Sequence, residues 1–281
     1  MREGRPSTTA CFVACGRGAA GLDPYAERLL PRALAPLARQ RARRWLGPLV
    51  EIMGVRTRVI DEAASEAVRE GITQVVVLGA GLCARAWRLS ELAGSVVYEV
   101  DHPATQRYKR ARLGGLAPRA RDVRFVSVDF EKDDLGQALA AAGHDPGART
   151  IWIWEGVTPY LRPAAIRSTL EAIRGRSAEA SMLVLTYYTP PPDGGRGGLL
   201  APARLLRWAR LVLYAIGEPF RGLMTVPEMH RILVSTGFAV RSDHANSELA
   251  QGDHRPGRLT VVSQRVIKER IVVATAERAD A

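Results

Sequence analysis

Residues 74–82 read Gln74-Val75-Val76-Val77-Leu78-Gly79-Ala80-Gly81-Leu82. An unbroken apolar run rich in β-branched residues, with no polar alternation, predicts a strand covered on both faces, as in a parallel sheet. The Gly-Ala-Gly at its end predicts a tight turn where backbone can approach a ligand with no Cβ in the way. The same rhythm repeats outward from this stretch. Short β-branched runs at 95–100, 123–128, 150–154 and 182–189 alternate with helix-like segments at 84–92, 103–113, 135–142 and 163–174. Such alternation predicts crossover units: an α/β fold with a mostly parallel sheet and helices on both faces. A helix at 226–236 and late strands at 238–242 and 259–265 complete the sheet.

The flanks differ in texture. Residues 1–72 read as a helical N-terminal segment, with helices at 25–30, 32–46 and 61–70 punctuated by Pro24, Pro31, Pro36 and Pro48. Residues 73–281 form the core, interrupted by an insertion at about 190–225. That insertion opens with a Pro/Gly run, 190–198, and continues as an apolar-basic segment, 199–214. Arg204, Arg207 and Arg210 recur there at three-residue spacing, so one side of the helix is basic and the rest apolar. A helical lid over the strand ends, a contact between two copies in a homodimer, and plain packing are all open for it.

Composition excludes several classes. The 281 residues are 47% hydrophobic and 25% charged, an ordinary globular balance. No stretch reaches the ~20 consecutive apolar residues of a membrane span. The apolar run 8–14 is short and closely followed by Arg17, unlike a secretory signal, so a cytoplasmic protein is expected. Three cysteines, Cys11, Cys15 and Cys83, make neither a disulfide framework nor a zinc site, and no metal is expected. The net charge is +11, and only three of the 40 basic residues are lysine, leaving 37 arginines. The densest cluster, Arg39-Gln40-Arg41-Ala42-Arg43-Arg44-Trp45, lacks the aromatic interleaving of an RNA-binding surface and fits a solvated helix face better than a nucleic-acid footprint.

In an open α/β sheet, ligands bind beyond the carboxyl ends of the strands. After the first strand come the glycines, after the second Asp101, after the third Asp129 with Phe130, and after the fourth Glu155. A carboxylate about twenty residues beyond such glycines can accept both hydroxyls of a ribose. An acceptor after the third strand can reach an adenine amine. Equally, Gly79 and Gly81 can make a turn with no ligand, and Asp129 can cap the next helix. Gly79-Ala80-Gly81-Leu82-Cys83-Ala84 also satisfies the loose dinucleotide fingerprint, which keeps an NAD(P)-dependent oxidoreductase open. A non-catalytic nucleotide-binding module is a third class; it would keep the fold and lose the acids, and all three acids are present.

Several ordered stretches together are more specific than the glycines. Asp23-Pro24-Tyr25-Ala26, Arg56-Thr57-Arg58-Val59-Ile60-Asp61, the 74–82 stretch with Arg85-Ala86-Trp87-Arg88-Leu89, and Tyr98-Glu99-Val100-Asp101-His102-Pro103-Ala104-Thr105-Gln106 with Lys109 are four of them. Val126-Ser127-Val128-Asp129-Phe130 and Trp154-Glu155-Gly156-Val157-Thr158-Pro159-Tyr160-Leu161 are two more. Together they resemble the leucine carboxyl methyltransferase family of S-adenosylmethionine-dependent O-methyltransferases, which includes bacterial enzymes of natural-product biosynthesis. The resemblance covers roughly residues 5–190. It implies a class I methyltransferase (Rossmann-like) fold and S-adenosyl-L-methionine as cofactor. By the same resemblance Arg56, with Arg58 as second choice, holds the donor's carboxylate. Gly79, with Gly81, lies beside the methionine moiety, Asp101 takes the ribose, Asp129 and Phe130 flank the adenine, and Glu155 lies near the amino group and the methyl-transfer face. One position departs: the family usually has Asp where this chain has Cys83.

The acceptor is less legible. A carboxylate is ionised at neutral pH and needs no general base, whereas a phenol with pKa ~10 wants one. None of His102, His144, His230, His244 and His254 sits in a base motif. The expectation is therefore a small-molecule acceptor that is a carboxylate, with methylation of a hydroxyl or phenol as the alternative. Arginines in and after the insertion would suit an acidic acceptor.

Overall fold

The computed structural model describes residues 7–40, 42, 47–190, 221–249 and 268–277. Seven strands form one sheet: β1 (Gln74–Leu78), β2 (Val96–Asp101), β3 (Asp122–Ser127), β4 (Thr150–Trp154), β5 (Met182–Thr189), β6 (Phe238–Ala245) and β7 (Lys268–Ala276). Their order is β3-β2-β1-β4-β5-β7-β6, and β7 runs antiparallel to both neighbours while the other described pairings are parallel. The order reverses at β1, whose neighbours β2 and β4 are reached in opposite directions, so a crevice opens beyond its carboxyl end.

The helices are α1 (Thr8–Ala19), α2 (Ala26–Leu29), α3 (Gly47–Arg69), α4 (Arg85–Arg88), α5 (Pro103–Leu113), α6 (Leu135–Ala141), α7 (Pro163–Gly175), α8 (Val226–Ser235) and α9 (Asn246–Leu249). They cover both faces of the sheet through two separate cores. Val75, Val77, Ile151 and Ile153 face one way, into a core shared with Ala14, Leu29, Ile60 and Ala64 of the N-terminal helices. Val76, Leu78, Trp152 and Trp154 face the other, against Leu139, Leu170 and Leu233. Strand parity alone makes this division, because successive side chains point to opposite faces. No helix among the described residues is long and apolar enough to cross a membrane.

The β1–β5 strands and α5–α8 fall within a residue or two of the sequence expectation. Other elements differ for identifiable reasons. The expected helix at 32–46 is not α-helical in its described part, which holds a 3₁₀ turn at Ala35–Ala38 with Pro36 inside it and further 3₁₀ residues at Gln40 and Ala42. The long helix starts later, at Gly47, and absorbs the expected 61–70. The expected helix at 84–92 breaks into α4 and a 3₁₀ segment, Ser90–Gly94. Helix α1 was not expected; Gly16 and Gly18 weaken its propensity, and Ser7 starts it by accepting from the Ala10 N–H at 3.2 Å. Gly18 is there for packing, since a Cβ would meet Ala38 and Ala26 at 2.7–2.8 Å. The strand expected at 259–265 lies outside the described residues, and the central antiparallel strand is β7, whose Lys268-Glu269-Arg270 start hides it from an apolar-run search. Residues 191–220 of the insertion also lie outside the described residues. Where the chain resumes, Met224 N–H donates to the Tyr188 carbonyl at 3.0 Å, laying residues 221–224 beside the end of β5.

Candidate active site

Beyond the carboxyl ends of β1, β2 and β4 lies a cavity of about 480 Å³. Its size suits a small-molecule site. It is lined by Gly79, Ala80 and Gly81 after β1, Asp101 and His102 at the end of β2, Val128, Asp129 and Phe130 after β3, and Glu155, Gly156 and Val157 after β4. Ala10, Val13 and Arg17 of α1 and Arg56 of α3 also line it.

The glycine turn is built from both sides. Gly79 and Gly81 have φ of +66° and +52°, a region costly to residues with a Cβ. A Cβ on Gly79 would stand 2.2 Å from Cγ2 of Val157, and one on Gly81 would stand 3.1 Å from Cβ of Ala10. The Gly81 N–H donates to Oδ2 of Asp101, while the His102 N–H donates to Oδ1 at 2.6 Å. The carboxylate of Asp101 is thus fixed at the end of β2. Burial pushes its pKa up to about 6, partly offset by these two N–H donors and by Lys109.

Glu155 ends β4 inside a ring of arginines. Arg56 Nε donates to Oε1 at 2.8 Å, Arg85 Nη1 donates to Oε2 at 2.6 Å, and Arg17 Nη1 stands 3.9 Å from Oε1. Burial alone would raise this carboxyl, but Arg85, Arg56 and Arg17 outweigh it and hold Glu155 far below the usual carboxylate range. It is a fixed anion and a poor proton acceptor. The arginines are held in turn. Arg56 Nη1 donates to Glu269 at 2.6 Å, Arg85 Nε to Asp61 at 2.7 Å, and Arg17 Nη2 to the Leu82 carbonyl at 3.0 Å. Nη2 of Arg56 and Nη2 of Arg85 are buried with no hydrogen-bond partner. A buried guanidinium N–H with no acceptor is costly, so Arg56 lining the cavity can take an anionic oxygen.

Of the sequence-predicted residues, the structure brings Arg56, Gly79, Gly81, Asp101, Asp129, Phe130 and Glu155 around one cavity. It does not bring Arg58, which is exposed and not among the lining residues. Two helical residues after Arg56, it points about 200° around the axis of α3. Asp129 lines the cavity and also organises its own turn, accepting from the Glu131 N–H at 3.1 Å and pairing with Lys132 at 3.2 Å. Burial works to raise Asp129, and these two partners outweigh it and hold the carboxyl below its usual range. Cys83 is buried on the lining with Sγ 3.5 Å from Arg85 Nη1, where the family's usual carboxylate would face the guanidinium. Among the described residues, no group of three or more His, Cys, Asp or Glu is placed to hold a metal.

Arg17, Arg85 and Glu269 were not singled out by the sequence. Arg85 opens the Arg85-Ala86-Trp87-Arg88-Leu89 motif, which by itself assigns it no role. Arg17 carried one faint signal, its position six residues before Asp23, whose Oδ2 lies 3.5 Å from Arg17 Nε. Glu269 carried none, since it meets Arg56 across 213 residues of chain.

The sequence profile described as Leucine carboxyl methyltransferase matches residues 16–174. A protein of Mycobacterium avium (strain 104), provisionally named an S-adenosyl-L-methionine-dependent methyltransferase, is 39% identical over 208 residues, 74% of this chain and 68% of its own. A Mycobacterium marinum protein with the same provisional name is 43% identical over 167 residues, 58% of this chain and 53% of its own. Among solved structures, a provisionally assigned methyltransferase from Thermobifida fusca YX superimposes with a TM-score of 0.63 at 18% identity, covering 98% of this chain and 96% of that one. At this identity the likeness establishes the fold, a class I methyltransferase sheet. With the profile spanning more than half its length and a relative at 39% identity over two thirds of both sequences, the chain belongs to the leucine carboxyl methyltransferase family.

Proposed function

We propose that this chain is an S-adenosyl-L-methionine-dependent O-methyltransferase whose acceptor is the carboxylate of a small molecule. The cofactor supplies a methyl group on a cationic sulfur. Its fit rests on the unpartnered Nη2 of Arg56, on the glycine turn, and on the fixed Asp101 carboxylate, all lining one cavity. In this assignment Arg56 receives the donor's carboxylate, with Arg17 beside it, and Glu155 faces the ammonium. Gly79 and Gly81 give the methionine chain backbone to lie on. Asp101 accepts from the ribose hydroxyls, while Asp129 and Phe130 flank the adenine.

Carboxylate methylation is favoured by one observation: Glu155, the acid at the transfer end, is held ionised by three arginines and cannot serve as a base. His102 is the one histidine on the described lining, and its ring accepts the Ala104 N–H at 3.2 Å as the cap of α5. An acceptor that must lose a proton with pKa ~10 gets no base from either Glu155 or His102. An acceptor already ionised needs orientation and exclusion of water but no proton acceptor. An acidic natural-product intermediate suits these needs.

Calorimetric titration with S-adenosylhomocysteine and with NAD tests the donor. Binding of the first without the second is expected, and tight NAD binding with no response to the methyl donor or its product would overturn the assignment. A panel of carboxylic acids and phenols, scored by mass spectrometry for the gain of one methyl group, tests the acceptor. Methylation confined to phenols would remove the carboxylate.

A further inference from the structure

Lys109 is a buried ammonium outside the cavity lining, and none of the roles above uses it. It rises from α5 and spends its donors on three acceptors: Oε1 of Glu99 at 2.7 Å, Oε2 of Glu99 at 2.6 Å, and the carbonyl of Cys83. Its side chain is 1% exposed and that of Glu99 is 2% exposed. The placement is informative. Glu99 and Asp101 stand two residues apart on β2 and share one face of the strand. Asp101 takes the Gly81 N–H directly, and Glu99, through Lys109, takes the Cys83 carbonyl. The exit of the glycine turn, Gly81 to Cys83, is thus tied to β2 at two points, one through an acceptor and one through a donor.

We propose that Lys109 is a positioning residue for the donor site: by bridging Glu99 to the Cys83 carbonyl it fixes the exit of the glycine turn, Gly81–Cys83, and keeps the Asp101 carboxylate ionised to receive the ribose. The inference rests on the donor assignment above. Its electrostatic half follows from the charges that face Asp101. These are the Lys109 ammonium, which favours the ionised form, the Glu99 carboxylate, which opposes it, and the neighbouring His102. A carboxylate raised by burial binds the ribose when ionised and loses that capacity as pH falls through its pKa, about 6 here.

The test is the pH profile of S-adenosylhomocysteine affinity between pH 5 and pH 8 (on the order of three units, spanning the relevant range), measured by calorimetry. The His102→Gln background removes imidazole titration. Lys109→Met removes the favourable charge and should move the acid limb up by about one pH unit, with weaker binding across the range. Glu99→Gln keeps an acceptor for Lys109 and removes the opposing charge, so its limb should move down. Opposite displacements support the proposal, because a loss of packing would weaken both variants without moving the limb in two directions. An unmoved limb in Glu99→Gln overturns it even where Lys109→Met fails to fold. Failure of the parent protein to bind S-adenosylhomocysteine would overturn the donor assignment and this inference with it, whereas normal parental binding with unmoved limbs overturns Lys109 alone.

Discussion

Arg56 divides one guanidinium between two carboxylates, Glu155 and Glu269, and leaves its third nitrogen without a partner. Two charge-assisted bonds lock the plane of the group, so the unpaired Nη2 is presented in a fixed direction. Lysine has no planar fork and cannot serve both glutamates and a ligand with the same geometry. Arg56→Lys should therefore weaken S-adenosylhomocysteine binding roughly tenfold to a hundredfold, the loss of about 1.5–3 kcal/mol of charged hydrogen bonding. Titration of the folded variant measures it, and native affinity would take Arg56 out of the donor site. The motif around residue 56 made Arg56 legible as first choice, and the physical reason that Arg58 is not its equal lies in which face of α3 is buried: Arg56 is buried and Arg58 exposed. The ring around Glu155 was illegible for another reason. Arg17, Arg85 and Glu269 come from three distant segments, and nothing local in the chain marks a charge that is to be buried.

At the scale of elements, the decisive piece is the turn between β1 and α4. Its conformation has two independent causes: positive φ at Gly79 and Gly81, and the close approach of Val157 from the β4 end and Ala10 from α1. Gly79→Ala would place a Cβ 2.2 Å from Val157 Cγ2. The valine, the turn or both must move, at a cost on the order of 1–3 kcal/mol in strain alone. A lowered midpoint in thermal unfolding together with weaker donor binding is the expected result; unchanged melting and binding would mean the turn is not held as described. The strands β1, β2, β4 and β5 could be read from sequence because each carries a dense apolar run buried on both sides, whereas the edge strand β3 is mostly half-buried and rests on Val123, Phe125 and Val126 alone. Helix α1 and strand β7 could not. The first carries two glycines, of which Gly18 packs against Ala38 and Ala26, and the second begins with three charged residues whose partners include Asp243 on β6, Asn246 on α9 and Arg56 on α3.

Across the whole molecule, among the described residues and besides the Lys109–Glu99 pair, buried charge gathers in two larger clusters with different work. One is the ring around Glu155, at the cavity. The other lies where β7 reverses direction between β5 and β6. There Asp243 accepts from Tyr187 Oη at 2.6 Å, pairs with His230 Nε2 at 2.7 Å, and accepts from Arg270 Nε at 2.8 Å. One carboxylate thus joins β5, β6, β7 and α8. None of these four side chains lines the cavity, so the cluster holds the antiparallel end of the sheet and does not touch the proposed donor. Replacing Asp243 by Ala strands a largely buried arginine and a buried tyrosine hydroxyl together, for which a loss of about 3–5 kcal/mol is expected. Urea unfolding should show that loss, while the affinity of the remaining folded protein for S-adenosylhomocysteine stays at the parental value. Equal losses in stability and affinity would instead couple the two clusters through β5. The chain between them offers such a route, because Tyr187 belongs to the Asp243 cluster and its neighbour Tyr188 donates to Glu269, the partner of Arg56, at 3.0 Å. Their side chains leave opposite faces of β5. A signal crossing from one to the other would have to move the strand itself, and β5 is paired along its length with β7 and for four residues with β4, so independence is the expected outcome.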